Sequence, residues 1–281
     1  MDGFHARHLD LFDPRVIESK RVLIVGAGSV GSFAAMLLAR AGVRKILLAD
    51  FDTVSESNLC RTVFNKADIG RPKVEALSDH LHAIRDGIEV DARHIDLRTI
   101  DDDELSSWIA SSDLVFAATD HPPTQARLSA LAYHAVPTVF AGAYARGTGG
   151  EVIWTLPQQT PCYACVLGSL RDTQAPARGR AEYGVATGQL AAEPALGLDV
   201  LHVTLCATKV ALALLLRGTD AAAAQILNAR RSVLFVGNAV DWIWREPFET
   251  VWASADRRPD CVCQLAPGAS TADLIDGGGE L

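Results

Sequence analysis

Gly26, Gly28 and Gly31 stand between a short apolar run and a helical pattern, the setting in which a backbone can close on a phosphate. Asp50 follows at the distance, roughly 20 residues, at which a second strand delivers a carboxylate to ribose hydroxyls. To this point the pattern fits any dinucleotide fold, a nicotinamide oxidoreductase included. The next residues change the chemistry. Asn58 and Arg61 share a polar loop, Lys73 opens a helix after Pro72, and Asp120 ends a later apolar run. Two cations can meet phosphate oxygens. A carboxylate can hold Mg²⁺, which takes one or two protein carboxylates and fills its shell with water and phosphate. ATP with magnesium uses the whole set, whereas NAD leaves Arg61, Lys73 and Asp120 without a task.

A second group is sulfur. Of six cysteines, Cys162 and Cys165 form a C-x-x-C after Pro161, and Cys261 and Cys263 form a tighter C-x-C. Four thiolates in two close pairs suit a structural tetrahedral zinc, with sulfurs about 2.3 Å from the metal. A redox dithiol is the competing reading for Cys162 and Cys165; it suits a helix N-terminus, and here the pair follows a predicted strand and precedes a long loop. Cys206 lies inside an apolar helix and Cys60 beside the polar loop, and both read as packed thiols. His80, His82, His94, His134 and His202 show no ligand-like grouping, while His121 sits beside Asp120.

These groups need elements to carry them. Arg21 to Val25 reads as a buried strand, Ser29 to Ala41 as a helix stopped by Gly42, and Lys45 to Ala49 as a second strand. Pro72 opens a helix to about Arg85. Glu89 to Leu97 is a third strand, the acidic start at Asp101 opens a helix to about Ser111, and Leu114 to Thr119 delivers Asp120. A helix over Pro123 to His134 and a strand over Thr138 to Ala143 complete the series. Alternation of this kind predicts a Rossmann-like α/β fold, a doubly wound parallel sheet. Gly149 to Leu156, Ser232 to Val236, Asp241 to Arg245 and Thr250 to Ala255 follow without crossover helices, so an antiparallel extension is expected. Residues 169–197 form a weakly periodic stretch, a length of loop that is uncommon without a function, and 266–281 read as a frayed tail. The expected organisation is one domain over 1–281, with a nucleotide half at 20–145 and an antiparallel half at 146–265.

With 281 residues, 49% of them hydrophobic, the chain can bury a full core. The formal net charge is −8 with no basic block, which argues against nucleic acid. The start of the chain has no signal pattern. The apolar stretch Leu198 to Leu216 carries Lys209 and His202 and reads as a buried interface helix rather than a membrane span. A cytoplasmic protein is expected.

The segments Gly26-Ala27-Gly28-Ser29-Val30-Gly31, Asp50 through Arg61, Ile69 through Glu75 and Ala118-Thr119-Asp120 together resemble the ThiF/MoeB superfamily, relatives of the E1 activators of ubiquitin-like proteins. The resemblance implies an adenylyltransferase that uses ATP and Mg²⁺. Its nucleotide site would comprise Gly26, Gly28, Gly31, Asp50, Asp52, Asn58, Arg61 and Lys73, with Asp50 on the ribose, Asn58, Arg61 and Lys73 on the phosphates and Asp120 on magnesium. Arg7 would reach a partner subunit's triphosphate, though its surroundings match the pattern poorly. Cys60 and Thr62 depart from the family's usual Gln. The resemblance also implies zinc on Cys162, Cys165, Cys261 and Cys263, with the C-x-C spacing as a departure. The expected partner is a ubiquitin-like or sulfur-carrier protein with a Gly-Gly tail, threaded past Arg146, Gly147, Gly149 and Gly150, and a homodimer is expected. Since 169–197 holds no cysteine, a lasting enzyme thioester is not expected. A peptide or tRNA-attached carboxylate as substrate, and an idle E1-like partner subunit, are the alternatives.

Overall fold

Val22, Leu23, Ile24 and Val25 form an unbroken apolar run, and all four are buried because helices cover the strand on both faces. The computed structural model describes residues 3–8, 10–172, 194–227, 231–259 and 261–264. The tail at 266–281 and most of the 169–197 stretch lie outside the described residues.

Eight strands form one sheet in the order β3-β2-β1-β4-β5-β6-β7-β8. The strands β1 (Arg21–Val25), β2 (Lys45–Asp50), β3 (Glu89–His94), β4 (Leu114–Ala117) and β5 (Thr138–Ala143) are parallel. The strands β6 (Gly149–Thr155), β7 (Val233–Gly237) and β8 (Thr250–Ala253) extend the sheet antiparallel. β5 is the junction, pairing parallel with β4 and antiparallel with β6. The order of the first strands reverses between β1 and β4, which is where an open α/β sheet leaves a crevice at its carboxyl edge.

Successive residues of β1 serve opposite cores. Val22 and Ile24 join the helices α2 (Ser29–Ala41), α3 (Lys73–His82) and α7 (Gly197–Leu215), while Leu23 and Val25 join α4 (Asp102–Ala110), α5 (Pro122–Ala132) and α6 (Tyr163–Asp172). Each such side chain contributes about 1.5–3 kcal/mol on full burial. Small residues, Ala34, Ala35 and Ala39 of α2 and Ala207 and Ala211 of α7, are wholly buried in the same core, so the two helices pack closely. By length and composition α7 could cross a membrane, but 56% of that span is buried within the protein.

Several boundaries differ from the sequence expectation. The helix expected to run to Arg85 ends at His82, ahead of a turn at Gly87 with φ 75°. The strand expected to reach Leu97 stops at His94, and the one expected to reach Thr119 stops at Ala117. Asp241 to Arg245 is not a strand. It is a turn closed by one bridge between Asp241 and Trp244, with Trp242 at φ 46°. The cause is tertiary: the Trp244 indole packs against Gly149 and Gly237, where any side chain at those glycines would collide with it. Two helices went unpredicted, α1 (Pro14–Ser19) and α6.

Candidate functional site

The glycine turn is built for close approach. Gly26 has φ 96°, and a Cβ there would lie 2.7 Å from the Ala118 carbonyl oxygen; one at Gly31 would lie 1.8 Å from the Gly26 oxygen. Both positions therefore admit only glycine. Gly28 caps α2 without a side chain, and the space a Cβ would fill there is open. Backbone N–H groups at the start of α2 thus face unobstructed space with the favourable end of the helix dipole.

Asp50 reaches into this turn from the end of β2. Its Oδ2 accepts from the Ala27 N–H at 2.6 Å and its Oδ1 from the Asp52 N–H at 2.7 Å. Burial pushes the Asp50 carboxyl above its ordinary range, opposed by these N–H donors and by the charge of Lys73. Each oxygen keeps a further lone pair for a ligand hydroxyl.

The loop from Asp50 to Lys73 folds back on itself. Thr53 pairs with Pro72, and Lys73 places its ammonium 2.7 Å from Asp52 Oδ2. The Lys73 side chain is 9% exposed and that of Asp52 49%. Asn58 spends its Oδ1 on the Ser55 N–H at 3.0 Å, which leaves its amide NH₂ as the donor for an anion. Arg61, half-buried, starts where the Asn58 carbonyl accepts its N–H at 3.1 Å. Gly197, the first residue of α7, packs on this loop so closely that a Cβ would lie 2.7 Å from the Cys60 oxygen and 3.1 Å from Arg61 Cα. Cys60 is exposed rather than packed, and its thiol donates to the Ser57 carbonyl at 3.5 Å. Cys206 is half-buried in α7.

Asp120 lies exposed in the turn after β4. The residues before it, Ala118 and Thr119, form the wall against which Gly26 closes. Thr119 is held from two sides: its Oγ1 accepts from the His121 N–H at 3.2 Å, and its carbonyl accepts from Gln125 Nε2 at 2.6 Å. His121 caps α5 and, with Arg98, Asp101 and Arg127, borders a cleft of about 450 Å³. Phe51 is 52% exposed, and the Arg98 guanidinium stands 5.3 Å from its ring centre. The fold thus collects Gly26, Gly28, Gly31, Asp50, Asp52, Asn58, Arg61, Lys73 and Asp120 at one edge of the sheet. Asp120 and Asp52 are exposed carboxylates at this edge, and one or two such carboxylates are what Mg²⁺ asks of a protein.

Arg7 is placed elsewhere. Its short helical turn docks through His5, which lies against Gly42 at the far end of α2 and bonds Glu18 at 2.9 Å. That is about 20 Å along the helix from Gly28. Arg7 itself is exposed. Gly149 and Gly150 are also not open to a substrate: they are buried β6 residues beneath Trp244 and Val203. Arg146, in contrast, is exposed with φ 59° beside Gly147.

The four cysteine sulfurs lie within 4.8 Å of one another, all buried, with Cys162 3.3 Å from Cys261 and Cys165 3.6 Å from Cys263. Four sulfurs about 2.3 Å from one ion would be about 3.8 Å apart, so the cluster has tetrahedral dimensions. The Arg258 N–H also points at Cys165 Sγ, 3.3 Å away. Thiols donating to it, those of Cys162 and Cys261, hold Cys165 well below its ordinary range, while Cys162, itself a donor to Cys165 and buried, is pushed well above its own. Contrary to the sequence expectation, Cys162 and Cys165 do stand at a helix start, that of α6. With the second pair arriving beside them the four thiols form a set that could hold a metal ion, which a lone redox dithiol would not require. Thr119, Gln125 and Tyr163 escaped the sequence reading, since nothing in their spacing links them.

Comparison with known proteins follows this geometry. The ThiF family model matches residues 7–234. Over 161 residues the chain is 38% identical to a molybdopterin-synthase adenylyltransferase of Salmonella typhimurium, covering 57% of this chain and 64% of that protein. Over 167 residues it is 35% identical to the sulfur carrier protein ThiS adenylyltransferase of Escherichia coli, covering 59% and 64%. The matches thus span less than two thirds of these relatives' length. A crystal structure of E. coli MccB shares the fold, with a TM-score of 0.69 at 18% identity over 95% of this chain and 73% of that one.

Proposed function

This chain belongs to the ThiF family, and from that premise we propose that it is an ATP-dependent adenylyltransferase acting on the Gly-Gly carboxyl end of a ubiquitin-like or sulfur-carrier protein. The observation that carries the reading is the meeting, at one sheet edge, of Asp50 on the glycine turn with Lys73 and Asp120 on either side. The names of the relatives, which act on molybdopterin synthase and on ThiS, support the substrate class.

In this reading the ribose hydroxyls meet Asp50, and Asn58, Arg61 and Lys73 meet the phosphates. Mg²⁺ held by Asp120 would neutralise charge on the triphosphate. A carboxylate oxygen attacks the α-phosphorus, the bond to the bridging oxygen breaks, and pyrophosphate leaves with the electron pair. No side chain needs to form a covalent bond, so alignment and charge neutralisation supply the acceleration. Zinc on Cys162, Cys165, Cys261 and Cys263 would be structural, holding the antiparallel half in place.

We place the protein in the cytoplasm as a homodimer. Leu198, Leu205 and Phe248 are exposed along α7 and the loop beside it, as an interface would require. A second copy would also be the route by which Arg7 meets a triphosphate, because its own site lies at the opposite end of α2.

The test is ATP–pyrophosphate exchange with magnesium, offering small proteins that end in Gly-Gly, with Asp120→Ala as control. Exchange that needs both the Gly-Gly tail and Asp120 supports the proposal. ATP binding with no exchange moves the substrate to a peptide or tRNA-attached carboxylate. Absence of ATP binding refutes adenylation.

A further inference from the structure

Tyr163 stands between the two cysteines of the first pair and is wholly buried. Its ring stacks on Phe140 of β5 with centres 4.2 Å apart and planes 21° from parallel. Its hydroxyl donates to Gln125 Oε1. Gln125, 2% exposed, donates through Nε2 to the Thr119 carbonyl at 2.6 Å. Thr119 is covalently joined to Asp120.

The direction of these bonds is forced. A carbonyl only accepts, so the amide must present its NH₂ to Thr119; its oxygen then only accepts, so the phenol must donate. Both groups are buried, where an unmet donor or acceptor is costly. The amide is therefore a spacer of fixed length between the start of α6 and the turn after β4. The start of α6 is in turn held by Cys162 and Cys165, whose sulfurs meet those of Cys261 and Cys263.

We infer that the four-cysteine cluster sets the position of Asp120 through Tyr163 and Gln125, which are positioning residues for the magnesium ligand. The magnesium half of this inference rests on the adenylation reading; the link between cluster and turn does not. A role in stability alone would lower the melting temperature and leave the magnesium dependence and the local exchange of the turn untouched.

The experiment uses the full zinc-loaded chain and Tyr163→Phe, which keeps the ring stack and removes the hydroxyl. Gln125→Met, which removes the spacer amide, is the second variant. Zinc per chain, melting temperature, magnesium dependence of ATP binding and amide hydrogen exchange over 118–121 are measured together. With zinc content unchanged, the half-saturating magnesium concentration should rise about fivefold in Tyr163→Phe, the loss of one hydrogen bond's net effect. ATP binding without magnesium should not change. The amides of 118–121 should exchange faster in both variants at full zinc occupancy. Unchanged exchange there at full occupancy overturns the link. Faster exchange with unchanged magnesium dependence overturns the role toward Asp120. If the wild type binds no ATP with magnesium, adenylation fails as a reading, and hydrogen exchange alone decides the link.

Discussion

Lys73 is bound to Asp52 twice: its ammonium lies 2.7 Å from Asp52 Oδ2, and its backbone N–H donates to the Asp52 carbonyl at 2.9 Å. The first bond holds a charge in place while the second fixes the backbone from which it springs. In the adenylation reading a phosphate would therefore meet a preformed ammonium and need not recruit a mobile one.

Lys73→Met keeps most of the length of the side chain and the backbone bond but removes the charge. Pyrophosphate exchange should fall by roughly 100-fold, the scale of losing one preorganised charge at a reacting phosphate. The melting temperature should move by only a few degrees, since Asp52 is half exposed and can be solvated. An equally large loss of melting temperature and activity would assign Lys73 to folding instead.

Asp50→Asn tests the cost of holding a carboxyl in the glycine turn. The folded-state pKa of Asp50 is raised. Its contribution is therefore fully present below the unfolded value and is lost as pH rises through the folded one. Relative to wild type, Asp50→Asn should gain stability on going from about pH 4, near the ordinary carboxylate value, to neutral pH. ATP affinity should fall in the same variant. Chemical denaturation at both pH values measures the first effect, and a difference that does not vary with pH contradicts it.

The cysteine cluster should contain one zinc per chain by elemental analysis. Cys261→Ser should lose that metal and lower the melting temperature by about 5–10 °C, as expected for a loss of a few kcal/mol in a chain of this size. Full stability after metal removal would make the cluster dispensable for folding.

Gly197→Ala places a methyl group 2.7 Å from the Cys60 carbonyl and 3.1 Å from Arg61 Cα. Both neighbours are backbone, so α7 and the Asn58–Arg61 loop must part. Such a clash costs about 1–3 kcal/mol. The cost should appear chiefly as ATP affinity weakened several-fold, with the α2–α7 core intact. Titration calorimetry reads it, and wild-type affinity would mean the loop is free to follow.

The parallel half was legible because its signals are local. An apolar run, three glycines and an acid in order suffice to place Asp50 on the glycine turn. The antiparallel half resisted because its determinants are tertiary. Asp241-Trp242-Ile243-Trp244-Arg245 is a short apolar, aromatic run as a strand can be, yet Trp244 is drawn against Gly149 of β6 and Gly237 of β7. Helix α1 did carry a signal: Asp13 accepts from the Arg15 N–H ahead of Pro14 at the first helical position, the usual start of a helix. Helix α6 carried none, for its first turn is occupied by the Cys162 pair. Gln125 and Tyr163 are 38 positions apart, and only the assembled sheet puts the phenol on the amide.

The four cysteines also clasp a long span of chain at both ends. Cys162 meets Cys261, and Cys165 meets Cys263, across 99 and 98 positions. Closing a loop depends on its length only logarithmically, about 0.6 kcal/mol for each doubling. Between the clasped ends lie α7, β7 and β8, so closing the cluster ties this part of the sheet to the start of α6. Four sulfurs at two points far apart in sequence thus act as a buckle: the antiparallel extension is fastened at both of its chain ends, and loosening either pair would free a helix and two strands together.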